Sequence, residues 1–131
     1  MKYIAAVVAA LSLAGCAQTE NLRADPTSSR FEVTLQENYR TTYHKLLATA
    51  RKCSNLSYVY NANTEAIGDL YSGTREAVVS MHMTSMVGEA TVWTADLKAD
   101  GDATRVTLIV PEQFKRSAPS VLGWVRGTSE C

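Results

Sequence analysis

The sequence predicts an α+β fold: an antiparallel sheet of four to five strands packed against one long helix and a short C-terminal helix. Three observations predict it. Tyr39, Tyr43, Leu46, Ala50 and Cys53 recur every three or four residues, the period of a helix with one buried stripe. From Arg75 to Val110, apolar and polar residues alternate in successive short runs, the period of half-buried strands. A last short apolar run, Val121, Leu122 and Val125, sits between helix start and stop signals. Strands gathered around two helices in this order make an α+β layer pair.

The chain opens with Lys2, an apolar run from Ile4 interrupted by Ser12, and small residues before Cys16. Those three parts form a secretory signal, expected to span residues 1–15. The run falls short of the roughly 20 apolar residues a membrane-crossing helix needs. Its end, Leu13-Ala14-Gly15-Cys16, resembles the bacterial lipobox, in which small residues fit a protease subsite and the cysteine sulfur receives diacylglycerol. The resemblance implies lipid on Cys16 and acylation of the new terminal amine. Two or three buried chains, at about 0.8 kcal/mol per methylene, make release from a membrane very slow. An ordinary secretory signal that happens to end in a cysteine is the alternative. Ala17 stands where Asp would resemble an inner-membrane retention signal, which in a Gram-negative cell favours the outer membrane.

After the signal, residues 16–29 are expected to be the lipidated cysteine and a flexible tether. Ala17 to Ser29 is polar, contains Asp25-Pro26 and Ser28-Ser29, and keeps no apolar period. A single α+β periplasmic domain is then expected over 30–131. Phe31 to Leu35 alternates as a strand, and the Tyr39–Cys53 stripe follows, with Leu47 beside it. Arg51 and Lys52 suit the negative end of that helix. Ser57 to Asn61 and Ile67 to Ser72 are strand candidates on either side of a polar interval at Asn61, Asn63 and Thr64, and together they form one bent strand or a hairpin. Arg75 to Thr84 places Ala77, Val79, Met81 and Met83 on one face, and Ala90 to Lys98 does the same with Trp93, Ala95 and Leu97. Asp100-Gly101-Asp102 is a tight-turn signal before Arg105 to Val110. Pro111 ends that strand, since it cannot donate to a sheet ladder. Ser117 and Pro119 can start the last helix and Gly127 can stop it.

Charge and cysteines narrow the function classes. Thirteen basic residues balance thirteen acidic ones, with no basic patch, so nucleic acid is not an expected partner. The mature chain of about 115 residues is the size of one domain. Three cysteines look odd for an exported protein, but a lipidated Cys16 leaves Cys53 and Cys131. In an oxidising compartment these have one possible intramolecular pairing. Such a bridge would close roughly 80 residues and contribute about 4 kcal/mol in the chain-entropy model. An intermolecular bridge and a reactive thiol are the rivals, though no CxxC spacing or neighbouring histidine supports redox chemistry.

No catalytic constellation emerges. His44 lies beside Lys45 on the polar side of the helix, and His82 points away from Met81 and Met83. Neither has a serine, cysteine or carboxylate at triad spacing. The segment Met81-His82-Met83, with Met86, holds soft ligands suited to Cu(I), but alternation sends His82 to the opposite face, so these remain weak metal candidates. Asp96, Asp100 and Asp102 gather at a turn without the pattern of a calcium loop. Tyr58 and Tyr60 are candidate interface residues, because tyrosine is enriched where proteins meet.

The layout as a whole resembles small proteobacterial lipoproteins: a lipobox, a short linker, a strand-helix start with a cysteine at the helix end, a β meander and a terminal cysteine. The resemblance implies an envelope protein and supplies no activity. The expectation is a non-enzymatic accessory or interaction module without a cofactor. It would be anchored through Cys16 at the periplasmic face of the outer membrane, with the membrane and another envelope protein as its partners. The alternative is a periplasmic binding protein for a cell-wall fragment, a lipid or copper.

Overall fold

The computed structural model describes residues 21–54, 63–86 and 88–131. Strand β1 (Ser29–Leu35) leads into helix α1 (Tyr39–Ser54). Four strands follow as a meander: β2 (Asn63–Tyr71), β3 (Glu76–Ser85), β4 (Gly88–Asp100) and β5 (Ala103–Val110). A 3-10 turn at Glu112–Ser117 and helix α2 (Ala118–Val125) complete the order. The sheet is antiparallel and open, with strand order β1-β5-β4-β3-β2. The chain thus crosses from one edge to the other through α1, then meanders back until β5 pairs with β1. The α+β fold expected from the residue pattern is the one observed.

Helix α1 begins where its sequence can satisfy free backbone donors. Asn38 Oδ1 accepts the Arg40 N–H at 2.9 Å, a side-chain cap. Glu37 takes the Thr42 hydroxyl on Oε1 at 2.9 Å and the Lys45 ammonium on Oε2 at 3.0 Å. Its backbone carbonyl accepts the Thr104 hydroxyl at 2.7 Å, joining the helix start to β5. Burial alone would raise the Glu37 pKa, but the hydrogen bonds from Lys45 and Thr42 and the Lys45 charge outweigh it. The carboxyl is held below its ordinary range. The stripe Tyr39, Tyr43, Leu46, Leu47, Ala50 and Cys53 is buried, as its spacing predicts, and Thr42 joins it.

Directly paired residues share a sheet face. The face under α1 therefore carries Phe31 and Val33 from β1, Ala77, Val79 and Met81 from β3, Trp93, Ala95 and Leu97 from β4, and Val106 and Leu108 from β5. These pack with α1 and α2 into one core. Trp93 meets Trp124 of α2 edge to face, with ring centroids 6.4 Å apart. Gly68 of β2 sits where α1 comes closest: a Cβ there would lie 2.7 Å from Tyr43 Oη and 2.8 Å from Leu47 Cδ2. Glycine is what lets the helix rest on that strand.

The structure departs from the pattern at particular places. Strand β2 begins at Asn63, taking in Asn63 and Thr64 of the polar interval between the two strand candidates. Nine uninterrupted pairs with β3 override the weak strand propensity of Asn63, while β-branched Thr64 suits a strand. The register shifts between Met81 and His82, where Val92 is the extra residue on β4. The β4–β5 loop is Gly101-Asp102, with Gly101 at φ 59°. At the far end of α2 the Thr128 N–H bonds the Gly123 carbonyl and the Gly127 N–H bonds the Trp124 carbonyl. That pair of bonds, with Gly127 at φ 108°, is a Schellman stop. The expected strand at Ser57–Asn61 lies outside the described residues.

Candidate functional site

Cys53 and Cys131 are bonded, with Cα atoms 5.3 Å apart. The last residues are held there twice more, by Lys52 Nζ on the Ser129 carbonyl at 3.0 Å and by Trp124 Nε1 on the Glu130 carbonyl at 2.9 Å. The bridge is thus a clasp between the end of α1 and the chain terminus. Cys16, Tyr58 and Tyr60 lie outside the described residues.

The sheet has two unlike faces. The inner one is filled by the core, while the outer one mixes charge with a few apolar side chains. One outer row runs Glu32, Thr107, Asp96, Val78 and Asp69 across all five strands, and the next runs Thr34, Arg105, Lys98, Glu76 and Tyr71. Over these rows lies a cleft of about 460 Å³. Its charges are largely matched: Arg23 pairs with Asp96, Lys98 with Glu76 at 3.9 Å, and Arg105 with Asp100 at 3.5 Å. A third row is drier. Ile109, Thr94 and Ser80 are buried there, and the Ser80 and Thr94 hydroxyls share a hydrogen bond of 2.8 Å.

Within the stretch 16–29 expected as a tether, residues 21–28 lie on this outer face. Residues 21–24 are helical. Leu22 is only 7% exposed, and Arg23 reaches Asp96 with two bonds, Nε to Oδ2 at 3.0 Å and a terminal nitrogen to Oδ1 at 2.6 Å. The Ser28 hydroxyl donates to the Leu22 carbonyl at 3.3 Å, and Arg30 donates to the Arg23 carbonyl. Asp25 closes a local turn by accepting the Thr27 N–H and hydroxyl, which lower its pKa. Polar composition hid this docking, because one leucine and one bidentate arginine are enough to hold a short segment. Leu22 and Arg23 were missed for that reason.

The remaining candidates are not brought together. Met81 is buried opposite Trp93 on the inner face, His82 is half-buried on the outer one, and Met86 is 91% exposed in the β3–β4 turn. Met83 is half-buried further along β3. The bulge beside His82 puts its extra residue on β4, so the alternation along β3 is unchanged. Among the described residues no three His, Cys, Asp or Glu side chains gather as a metal site. His44 is exposed and meets the Tyr43 ring edge-on at 5.1 Å. Asp96 and Asp100 serve separate ion pairs.

What the structure adds is the edge strand β2. Its outer side chains are Asn63, Glu65, Ile67, Asp69 and Tyr71, all exposed. Ile67 is 42% and Tyr71 51% exposed, and with Met86 they are the exposed large apolar side chains among the described residues. Strand alternation in Ile67 to Ser72 was legible, but nothing local told which of its two faces would meet solvent.

No protein-family model and no curated protein matches the chain. Among solved structures, the crystal structure of Ara h 8.0201 aligns over 78% of this chain and 96% of that one, at 7% identity and a TM-score of 0.42. A likeness at that level ties the chain to no family and transfers no function.

Proposed function

We propose that the protein is a lipid-anchored accessory module of the bacterial outer membrane, held by Cys16 and presenting its sheet to another envelope protein. The observation that carries the interaction role is the asymmetry of the sheet. One face is filled by two helices and stapled by Cys53–Cys131, while the outer face and the β2 edge leave Ile67 and Tyr71 in solvent. Cysteine accounting supports the anchor, because the bridge consumes the other two cysteines and leaves Cys16 for lipid. Nothing in this reading needs bond-making chemistry.

A binding protein for a cell-wall fragment or lipid is the second reading, favoured by the outer cleft of about 460 Å³. That size suits a small ligand, but ligand sites are mostly apolar, and this cleft is lined by ion pairs. Copper has less support, since Met81 and His82 occupy opposite faces.

Crosslinking in intact cells tests the proposal. A photoreactive residue at position 71 should capture a defined envelope protein, and one at the buried position 121 should not. Mass spectrometry of the mature chain should find diacylglycerol on Cys16. An unlipidated Cys16, or no captured protein across several growth conditions, would overturn the corresponding half of the reading.

A further inference from the structure

We infer that the free edge of β2 is a strand-addition site for an extended segment of a partner protein carrying the pattern basic-x-aliphatic-x-basic. This deepens the accessory role and rests on it. Among the described residues β2 pairs only with β3, so none of them partners the row of backbone donors and acceptors on its other side. Exposed edges are ordinarily blunted by charged side chains, lysine above all, by proline or by a bulge. Between Asn63 and Tyr71 there is no lysine, proline or bulge, and the charges are two carboxylates, Glu65 and Asp69, on a register of nine unbroken pairs. The opposite edge differs. Strand β1 alternates Arg30 and Glu32 on its outer side, and Arg30 is engaged with the Arg23 carbonyl.

Charge then selects the occupant. Glu65 and Asp69 flank Ile67 on the outer side of β2, and among the described residues neither makes an ion pair. A second copy of β2 is a poor match. Paired antiparallel about Ile67, each Glu65 would face the other copy's Asp69, and the next register that keeps the same faces together, a two-residue shift, leaves the carboxylates diagonal to one another. Like charges facing across a sheet destabilise it. A strand with basic residues opposite Glu65 and Asp69 and an aliphatic one opposite Ile67 turns the same groups into favourable pairs. Main-chain bonds would supply affinity and the alternate side chains specificity.

The test uses the mature lipidated chain in zwitterionic micelles and end-capped threonine-rich peptides carrying lysine-x-valine-x-lysine or its glutamate counterpart. The lysine peptide should bind about 10-fold tighter than the glutamate one at low salt, given two cross-strand pairs turned from repulsive to attractive. Amide exchange should slow along Asn63–Tyr71. N-methylation of alternate peptide nitrogens should abolish binding without changing charge, which separates strand addition from plain attraction. Glu65→Lys with Asp69→Lys should reverse the preference. Equal binding of both peptides, no binding of the lysine peptide, protection elsewhere, or a dimer of the chain protected at β2 would each overturn the inference. Failure of the peptide with a partner still captured in cells refutes the edge alone, whereas an unlipidated Cys16 refutes the anchor.

Discussion

Gly68 and Glu37 are each set by a contact rather than by the local pattern. Adding one methyl at Gly68 would push on Tyr43 and Leu47, both buried. Overpacking of this kind typically costs about 1–3 kcal/mol. Gly68→Ala should therefore lower the urea midpoint, and Gly73→Ala, where a Cβ meets nothing within 4 Å, should not. Glu37 gives the acid limb of stability a named contributor. Its carboxyl is held below the ordinary value near 4.5, so its contribution is full above that pH. The contribution fades as pH falls through the lowered value, when protonation releases Lys45 and Thr42. Unfolding measured from about pH 6 down to pH 3 should show the wild-type advantage over Glu37→Gln shrinking across that window. An advantage independent of pH would assign the effect to packing instead.

At the scale of elements, the clasp and the docked segment hold the stretches on either side of the sheet and helices by different means. The Cys53–Cys131 bridge spans 78 positions, and a loop of that length is worth about 4 kcal/mol in the chain-entropy model. Cys53→Ser with Cys131→Ser should lose most of that in equilibrium unfolding and should loosen the residues after α2 first, read by amide exchange. Arg23–Asp96 is a lesser hold, since the two side chains are 27% and 34% exposed. Surface pairs contribute roughly 0–1 kcal/mol. Asp96→Asn should scarcely move the unfolding midpoint while speeding exchange in residues 22–28. If exchange there stays unchanged, Leu22 and the Ser28 and Arg30 bonds are the docking contacts that matter.

Across the whole molecule, the elements were legible where the signal is local. The α1 stripe, the alternation of β3 to β5, the Gly101 turn and the Gly127 stop each depend on neighbours a few positions apart, and all stand as their residues imply. Cys53 and Cys131 were paired by elimination, and the structure bonds them. The spatial arrangement was not legible in the same way. Which strands form the edges, that Asn63 and Thr64 join β2, that Val92 bulges, and that Leu22 and Arg23 lie on the sheet depend on residues tens of positions away. Local patterns fix periodicity, and periodicity decides what each segment can become. Sequence alone therefore determined the two helices, the strands β1 and β3 to β5, and a favoured cysteine pair. Only the tertiary structure decided which faces and edges stay open to a partner, because exposure depends on what packs alongside, and packing is a property of the whole chain.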